Sequence, residues 1–210
     1  MAACRGTTRR APQPEAFRDI KALVESVSHS SFPQLQNAKI TIYDLHSDFD
    51  YLQARFTVSS YFSRELSYMI LFNPEAIRRG VPPEGLRAIV AHELAHINYF
   101  ESQSRMGLLS LIRLLGPSFT TRFERRADLD SMALGYARGL QQYRAWLYGN
   151  VPAGRTAEKK RDYYSPEEIE ALLQAQSDHP GIMSKFMRCI PRNLGEIQEE
   201  ARSPAAACPD

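Results

Sequence analysis

The stretch "IVAHELAHINYF", Ile89 to Phe100, holds two of the chain's five histidines four residues apart, with a glutamate directly after the first. Pro82 and Pro83 precede it, and the apolar residues that follow recur at helical spacing, so the stretch lies inside a predicted helix. Residues i and i+4 share one face of a helix, and His92 and His96 can therefore converge on one metal ion. The pattern His-Glu-x-x-His is typical of zinc sites in which Glu93 acts as the general base.

The residues around this motif are uncharged, which favours a buried helix. A buried helix that carries two histidines and a glutamate must satisfy three polar groups, which is costly unless they find partners. Metal coordination would meet that need. The uncharged positions around the motif are Ile89, Val90, Ala91, Leu94, Ala95 and Ile97.

A catalytic zinc takes three protein ligands and keeps one position for water, so a third ligand is required. The stretch "FERRADLDSMALGYA" places Glu124 28 residues after His96, with Asp128 one helical turn later. On a helix these carboxylates share a face with the small residues Ala127 and Ser131. The geometry suits Glu124 as the ligand and Asp128 as the group that holds a histidine Nδ1–H. Asp128 as the ligand in place of Glu124 is the alternative.

Residues 66 to 135 resemble the gluzincin metallopeptidases, in which H-E-x-x-H is followed by E-x-x-x-D on a later helix. The heat-shock membrane peptidases and the CAAX prenyl endopeptidases are examples, and the chain is more similar to their small soluble relatives. The resemblance implies that zinc is bound by His92, His96 and Glu124, that Glu93 is the base, and that Asp128 supports a ligand. The chain departs from the family in lacking predicted transmembrane helices and in its short spacing from histidine to glutamate.

The resemblance also implies a strand that borders the cleft and pairs with an extended peptide. The residues of this predicted strand are Tyr68, Met69, Ile70, Leu71 and Phe72. A hydrogen-bond donor to the developing oxyanion is expected as well. The candidate donors are Tyr99, Tyr136 and Tyr143.

The alternation of polar and apolar residues predicts an α+β fold, with a sheet of three or more strands packed on the active-site helix and further helices. The resemblance implies that this fold is zincin-like. Residues 118 to 150 are expected to form one long helix, and "GLLSLIRLL" a core helix or a lid over the cleft. The predicted organisation is a flexible leader (1–14), a zincin-like metallopeptidase domain (15–150), a C-terminal helical extension on the same domain (151–200) that begins with a linker over 151–162, and a disordered tail (201–210).

The charge, hydrophobicity and cysteine content of the chain bear on its binding partners and its location. A net charge of +2 argues against nucleic acid as the main partner, and no apolar run is long enough for a transmembrane span. The odd cysteine count gives no disulfide framework, although the sequence allows one bridge between Cys189 and Cys208. If "AAC" is a lipobox remnant, Cys4 would carry a lipid anchor and the protein would lie in the bacterial cell envelope. Otherwise a cytoplasmic location is expected.

The function expected from these residues is zinc-dependent hydrolysis of a peptide bond in a peptide or protein substrate. One zinc ion per chain is expected on His92, His96 and Glu124, with water activated by Glu93. The alternative is a zinc-stabilised binding or assembly protein with a degenerate peptidase site. A helical interaction module without metal is a third hypothesis.

Overall fold

The helix predicted around His92 spans Pro83–Ser102, and helices and strands from both sides of the sequence pack against it. The computed structural model describes residues 14–63, 65–104, 107–108 and 117–208. Its helices and strands, in chain order, are α1 (Pro14–Ser31), β1 (Lys39–Asp44), β2 (Leu52–Phe56), β3 (Ser67–Phe72), α2 (Glu75–Arg78), α3 (Pro83–Ser102), α4 (Pro117–Ala133), α5 (Ala137–Asn150), α6 (Ala153–Asp162), α7 (Pro166–Asp178), α8 (Met183–Cys189) and α9 (Leu194–Arg202). The predicted α+β class is confirmed, and helix predominates.

β3 is the central strand of a mixed sheet with the order β1-β3-β2. It pairs in parallel with β1 and antiparallel with β2 along nearly its whole length. Alternate residues of β3, Tyr68, Ile70 and Phe72, are buried, as expected for a strand covered by helices. β1 and β2 are therefore the two edges of the sheet in the part of the chain that the structure describes.

Two apolar clusters meet at α3 and α4. On α3, Val90 and Leu94 pack into the cluster that includes the sheet and α1, whereas Ala88 belongs to the cluster of the C-terminal helices. On α4, Ala127 belongs to the first cluster and Leu129 to the second. Polar side chains that α3 and α4 direct at each other are therefore largely shielded from water.

The single helix predicted over residues 118 to 150 is wrong, because the chain breaks between α4 and α5. Gly135 has a φ of 92°, and the backbone N–H of Tyr136 turns back to the carbonyl of Ser131 at 3.1 Å. A positive φ favours glycine, which lacks the Cβ atom that strains other residues there. The break lets α5 fold back against α4 and α3.

The predicted linker over 151–162 is also wrong, since Ala153–Asp162 forms α6. Its polar side chains find partners on other elements: Lys159 Nζ lies 2.7 Å from Asp50 Oδ1, and the Arg155 guanidinium lies 4.1 Å from the centre of the Phe49 ring. The next helix, α7, begins with a capping box, in which the Ser165 hydroxyl accepts from the Glu168 backbone N–H.

The C-terminal segment differs from the predicted disordered tail. Helix α9 continues to Arg202, and a Cys189–Cys208 disulfide joins the segment to the end of α8. The bridge closes a loop across 19 residues, which restricts the unfolded chain more than the folded one. The segment predicted as a tail thus includes the end of α9 and one half of the disulfide, while the last two residues lie outside the described range.

Some predictions fall on residues outside the described ranges. These are the leader up to residue 13 with Cys4, and most of the stretch "GLLSLIRLL". None of the described helices is both long enough and apolar enough to span a bilayer.

The packing of α5 on α3 predicts opposite effects for two glycines of α5. A Cβ atom on Gly139 would lie 2.4 Å from the Glu84 carbonyl oxygen and 2.7 Å from Ala88 Cβ, whereas one on Gly149 would meet nothing within 4 Å. We expect Gly139→Ala to lower the free energy of unfolding by about 1–3 kcal/mol. Gly149→Ala should raise it by up to about 1 kcal/mol. Urea unfolding curves of the two variants measure both effects, and equal midpoints would contradict this packing.

Candidate metal centre

The two histidines of the motif lie on the buried face of α3. His92 and His96 are 1% and 5% exposed, and their Nε2 atoms are 3.1 Å apart. The spacing of four residues puts both rings on one side of the helix. Phe123 stacks on the His96 ring at 4.4 Å between ring centres.

Helix α4 adds a carboxylate to the pair. Glu124 Oε2 lies 3.1 Å from His92 Nε2 and 3.0 Å from His96 Nε2. Ala127 and Ser131, on the face of α4 that the sequence singled out, are fully or almost fully buried. The small side chains allow α4 to approach α3 closely, so the three residues selected as ligands lie together.

The group could hold a metal ion, because its three ligand atoms converge on one point. Two imidazole nitrogens and a carboxylate oxygen at such short distances repel one another unless a cation or a proton lies among them. Burial lowers the pKa of His92, but hydrogen bonds to the Asp128 and Glu124 carboxylates outweigh it and raise the pKa to about 10. The site therefore attracts positive charge, as a metal centre does.

Asp128 contacts the opposite side of the His92 ring. Its Oδ1 lies 2.8 Å from His92 Nδ1 and also accepts from Arg144 Nη2 at 2.8 Å. Its Oδ2 accepts from the Tyr164 backbone N–H at 3.1 Å. Burial raises the pKa of this carboxyl, but the charge of Arg144 and these hydrogen bonds hold it below its usual range. Of the two carboxylates that the sequence left open as ligands, Glu124 lies at the Nε2 atoms and Asp128 at Nδ1.

Glu93 lies beside the ligand group. Its side chain is buried, and its Oε2 accepts a hydrogen bond from the Ala54 backbone N–H on β2 at 2.5 Å. Burial raises the pKa of Glu93 above its usual value, as expected for a carboxyl that takes up a proton. The bond to Ala54 ties the orientation of the carboxylate to the edge strand.

A cavity of about 340 Å³ opens over the ligand group. Its walls come from β2 and the loop before it, from α3, and from α4, α5 and α6. His96, Glu124 and Glu93 line it, together with the tyrosines Tyr143 and Tyr163. The sequence did not indicate Tyr163, because it follows a helix that was predicted as a linker; its ring centre lies 5.8 Å from that of His92.

Two of the three tyrosines proposed as oxyanion donors lie elsewhere among the described residues. The Tyr136 hydroxyl is 2.7 Å from Ser31 Oγ on α1, and the Tyr99 ring packs edge-on against Phe123. Neither is part of the cavity wall, whereas Tyr143 is. Tyr99 lies three residues after His96 on α3, so the period of the helix sets its direction. Tyr136 lies in the break between α4 and α5, where the turn of the chain directs it toward α1.

The residues of the predicted substrate strand, Tyr68, Met69, Ile70, Leu71 and Phe72, lie at the centre of the sheet. These residues form β3, and both of its edges are already paired, so it has no backbone groups to offer a peptide. The strand that borders the cavity is β2, whose residues Leu52 to Arg55 line the wall. Its outer edge is unpaired among the described strands.

Comparisons with models of protein families, with curated proteins and with solved structures found no match to this chain.

The convergence of ligands predicts the metal content of the dialysed protein. Wild type should retain about one zinc ion per chain, and His96→Ala and Glu124→Ala should lose it or bind it far more weakly, because each removes one of three ligands. Asp130→Ala is the matched control: Asp130 lies on α4 but pairs with Arg126, outside the ligand group. Elemental analysis gives the stoichiometry. Full zinc in Glu124→Ala would contradict this ligand set.

Proposed function

We propose that the protein is a zinc-dependent peptidase, similar in its site to the gluzincins, that hydrolyses peptide bonds in the cavity over α3. The observation that carries the proposal is the position of Glu93: a buried carboxylate beside a His-His-Glu group, in a cavity bordered by a strand edge that no other described strand pairs with. Two histidines and one glutamate are a ligand set found in catalytic zinc sites, where a position stays open for water.

His92 Nε2, His96 Nε2 and Glu124 Oε2 would hold the zinc ion. When bound, the ion would lower the pKa of water and polarise a carbonyl group. Glu93 accepts a proton from the attacking water as the new C–O bond forms. It then delivers this proton to the amide nitrogen as the C–N bond breaks, so that a carboxylate and an amine leave the site.

Tyr143 and Tyr163 are the candidate donors to the carbonyl oxygen of the substrate. Both line the cavity, and burial raises the pKa of both hydroxyls, so they remain protonated at neutral pH. A donor aimed at the developing negative charge stabilises the transition state. This assignment replaces Tyr99 and Tyr136 with Tyr163.

The edge of β2 is the proposed binding surface for the peptide backbone. Successive residues of a strand direct their backbone groups to opposite edges, and Tyr51 and Thr57 bond toward β3 through the backbone of Asn73 and Ser67. The backbone N–H and C=O groups of Leu52, Ala54 and Phe56 therefore face away from β3. The bond from the Ala54 N–H to Glu93 agrees with this direction. An extended peptide that adds to this edge would pass Glu93.

The disulfide supports the cell-envelope location over the cytoplasmic one. Disulfides form and persist in oxidising compartments and are rare in the reducing cytosol. A Cys189–Cys208 bridge is therefore expected in a protein that is exported.

The proposal predicts that Glu93→Gln separates metal binding from catalysis. Glutamine keeps the size of the side chain but cannot accept the proton, so we expect zinc to be retained and turnover to fall by roughly 10²- to 10⁴-fold. The measurement is cleavage of a mixture of unfolded peptides, followed by mass spectrometry. Glu84→Gln changes an exposed glutamate on the same helix and should leave turnover unchanged.

Unchanged turnover in Glu93→Gln would refute the mechanism. If zinc-loaded wild type cleaves no peptide in the mixture, the alternative of a zinc-stabilised binding protein is favoured.

A further inference from the structure

Arg144 is a buried cation whose hydrogen bond to a side chain and whose ring contacts lie at the metal centre and in the cavity wall. It is 1% exposed, and its Nη2 donates to Asp128 Oδ1 at 2.8 Å. Its guanidinium lies 4.1 Å from the centre of the Tyr163 ring and 5.5 Å from that of Tyr143. Arg144 therefore contacts the neighbours of His92 without contacting a ligand atom itself.

The hydrogen bonds from Arg144 and His92 end on the same oxygen. Asp128 Oδ1 accepts from both Arg144 Nη2 and His92 Nδ1, while the Tyr164 N–H holds Oδ2. Because the Nδ1 bond sets the direction of the imidazole ring, the position of Oδ1 also sets where His92 Nε2 points. A guanidinium is planar and rigid, so it restricts the position of Oδ1 more than a water molecule would.

Arg144 also supports the His92 ring through its contact with Tyr163. The Tyr163 ring, in the cavity wall, contacts both side chains: the Arg144 guanidinium lies over it, and its centre is 5.8 Å from the His92 ring centre. A cation over an aromatic face is attracted to it, which holds Tyr163 in place. His92 is thus supported at its Nδ1 and beside its ring by groups that Arg144 contacts.

We propose that Arg144 is a positioning residue for the metal centre, which increases zinc affinity by fixing Asp128 and through it His92. The inference rests on the proposed metal site and does not require peptidase activity. Stability alone is a weak explanation for the pair, since replacing a buried ion pair by apolar groups is often neutral or stabilising.

Arg125 provides the matched control. It is equally buried, at 2%, and forms an ion pair with Glu168 at 3.1 Å. Its other partners are the carbonyl oxygens of Pro191 and Arg161 and the Tyr164 ring. Arg125 thus joins α4 to the C-terminal helices, and its described hydrogen bonds and ion pair do not end on His92 or Asp128. It contacts the ring of Tyr164, whereas Asp128 accepts from the backbone N–H of that residue. Loss of this pair should lower stability without changing the zinc site.

The test is a double-mutant cycle on the zinc dissociation constant, with Arg144→Met, Asp128→Asn and both together, measured by chelator competition on folded protein. We expect Arg144→Met to weaken zinc binding by about tenfold or more, and Asp128→Asn by about 10- to 100-fold. In the Asp128→Asn background, Arg144→Met should have a much smaller effect, because most of the influence of Arg144 passes through that carboxylate and only its contact with Tyr163 remains. Arg125→Met should leave the dissociation constant unchanged.

The absorption spectrum of the Co²⁺-substituted protein gives a second readout. It should change in Arg144→Met and not in Arg125→Met, because it reports the geometry of the ligands. If Arg144→Met does not fold, Arg144→Lys keeps the charge but loses the planar fork, and an intermediate loss of affinity is expected. Unchanged zinc affinity in every folded Arg144 variant, or an equal effect in both Asp128 backgrounds, would overturn the inference. If wild type binds no zinc, it is the metal site that fails.

Discussion

The carboxylate of Asp128 has no exposed surface, and its two oxygens accept hydrogen bonds from three separate parts of the chain. A buried carboxylate is strongly destabilising unless it is paired and hydrogen-bonded. The donors are His92 on α3, Arg144 on α5 and the backbone N–H of Tyr164 just before α7. Satisfying Asp128 therefore requires these elements to converge. The same convergence directs His92 Nε2 to the place where His96 and Glu124 meet it.

A second bond joins this centre to the sheet. The Ala54 N–H on β2 donates to Glu93, the residue that follows His92 on α3. It fixes the distance between the edge strand and the ligand group, so the proposed base and the backbone groups that face the cavity lie next to each other. The rest of the wall is contributed by α5 and α6, which are held over the cavity by Arg144 and by the pair of Lys159 with Asp50. The shape of the cavity thus follows from a few polar contacts between distant elements.

Sequence reasoning succeeded where the signal was local. The helical period, Pro83 and the spacing of His92 and His96 are all contained within α3, and the spacing of Glu124 and Asp128 within α4, so their faces follow from 3.6 residues per turn. It failed at the break between α4 and α5. In a continuous helix Asp128 and Arg144, 16 residues apart, would be separated by about 24 Å, and their contact could not be foreseen.

The sequence by itself determined the α+β class, the helix that carries the motif, and the identity of the residues that could hold a metal ion, because periodicity and spacing are properties of neighbours along the chain. Only the tertiary structure decided that β2 and not β3 borders the cavity, since strand order depends on pairing between distant segments. It also decided that a polar stretch with the composition of a linker forms α6. The partners of α6, Asp50 and Phe49, lie about a hundred residues away in sequence, and only folding brings them within contact distance.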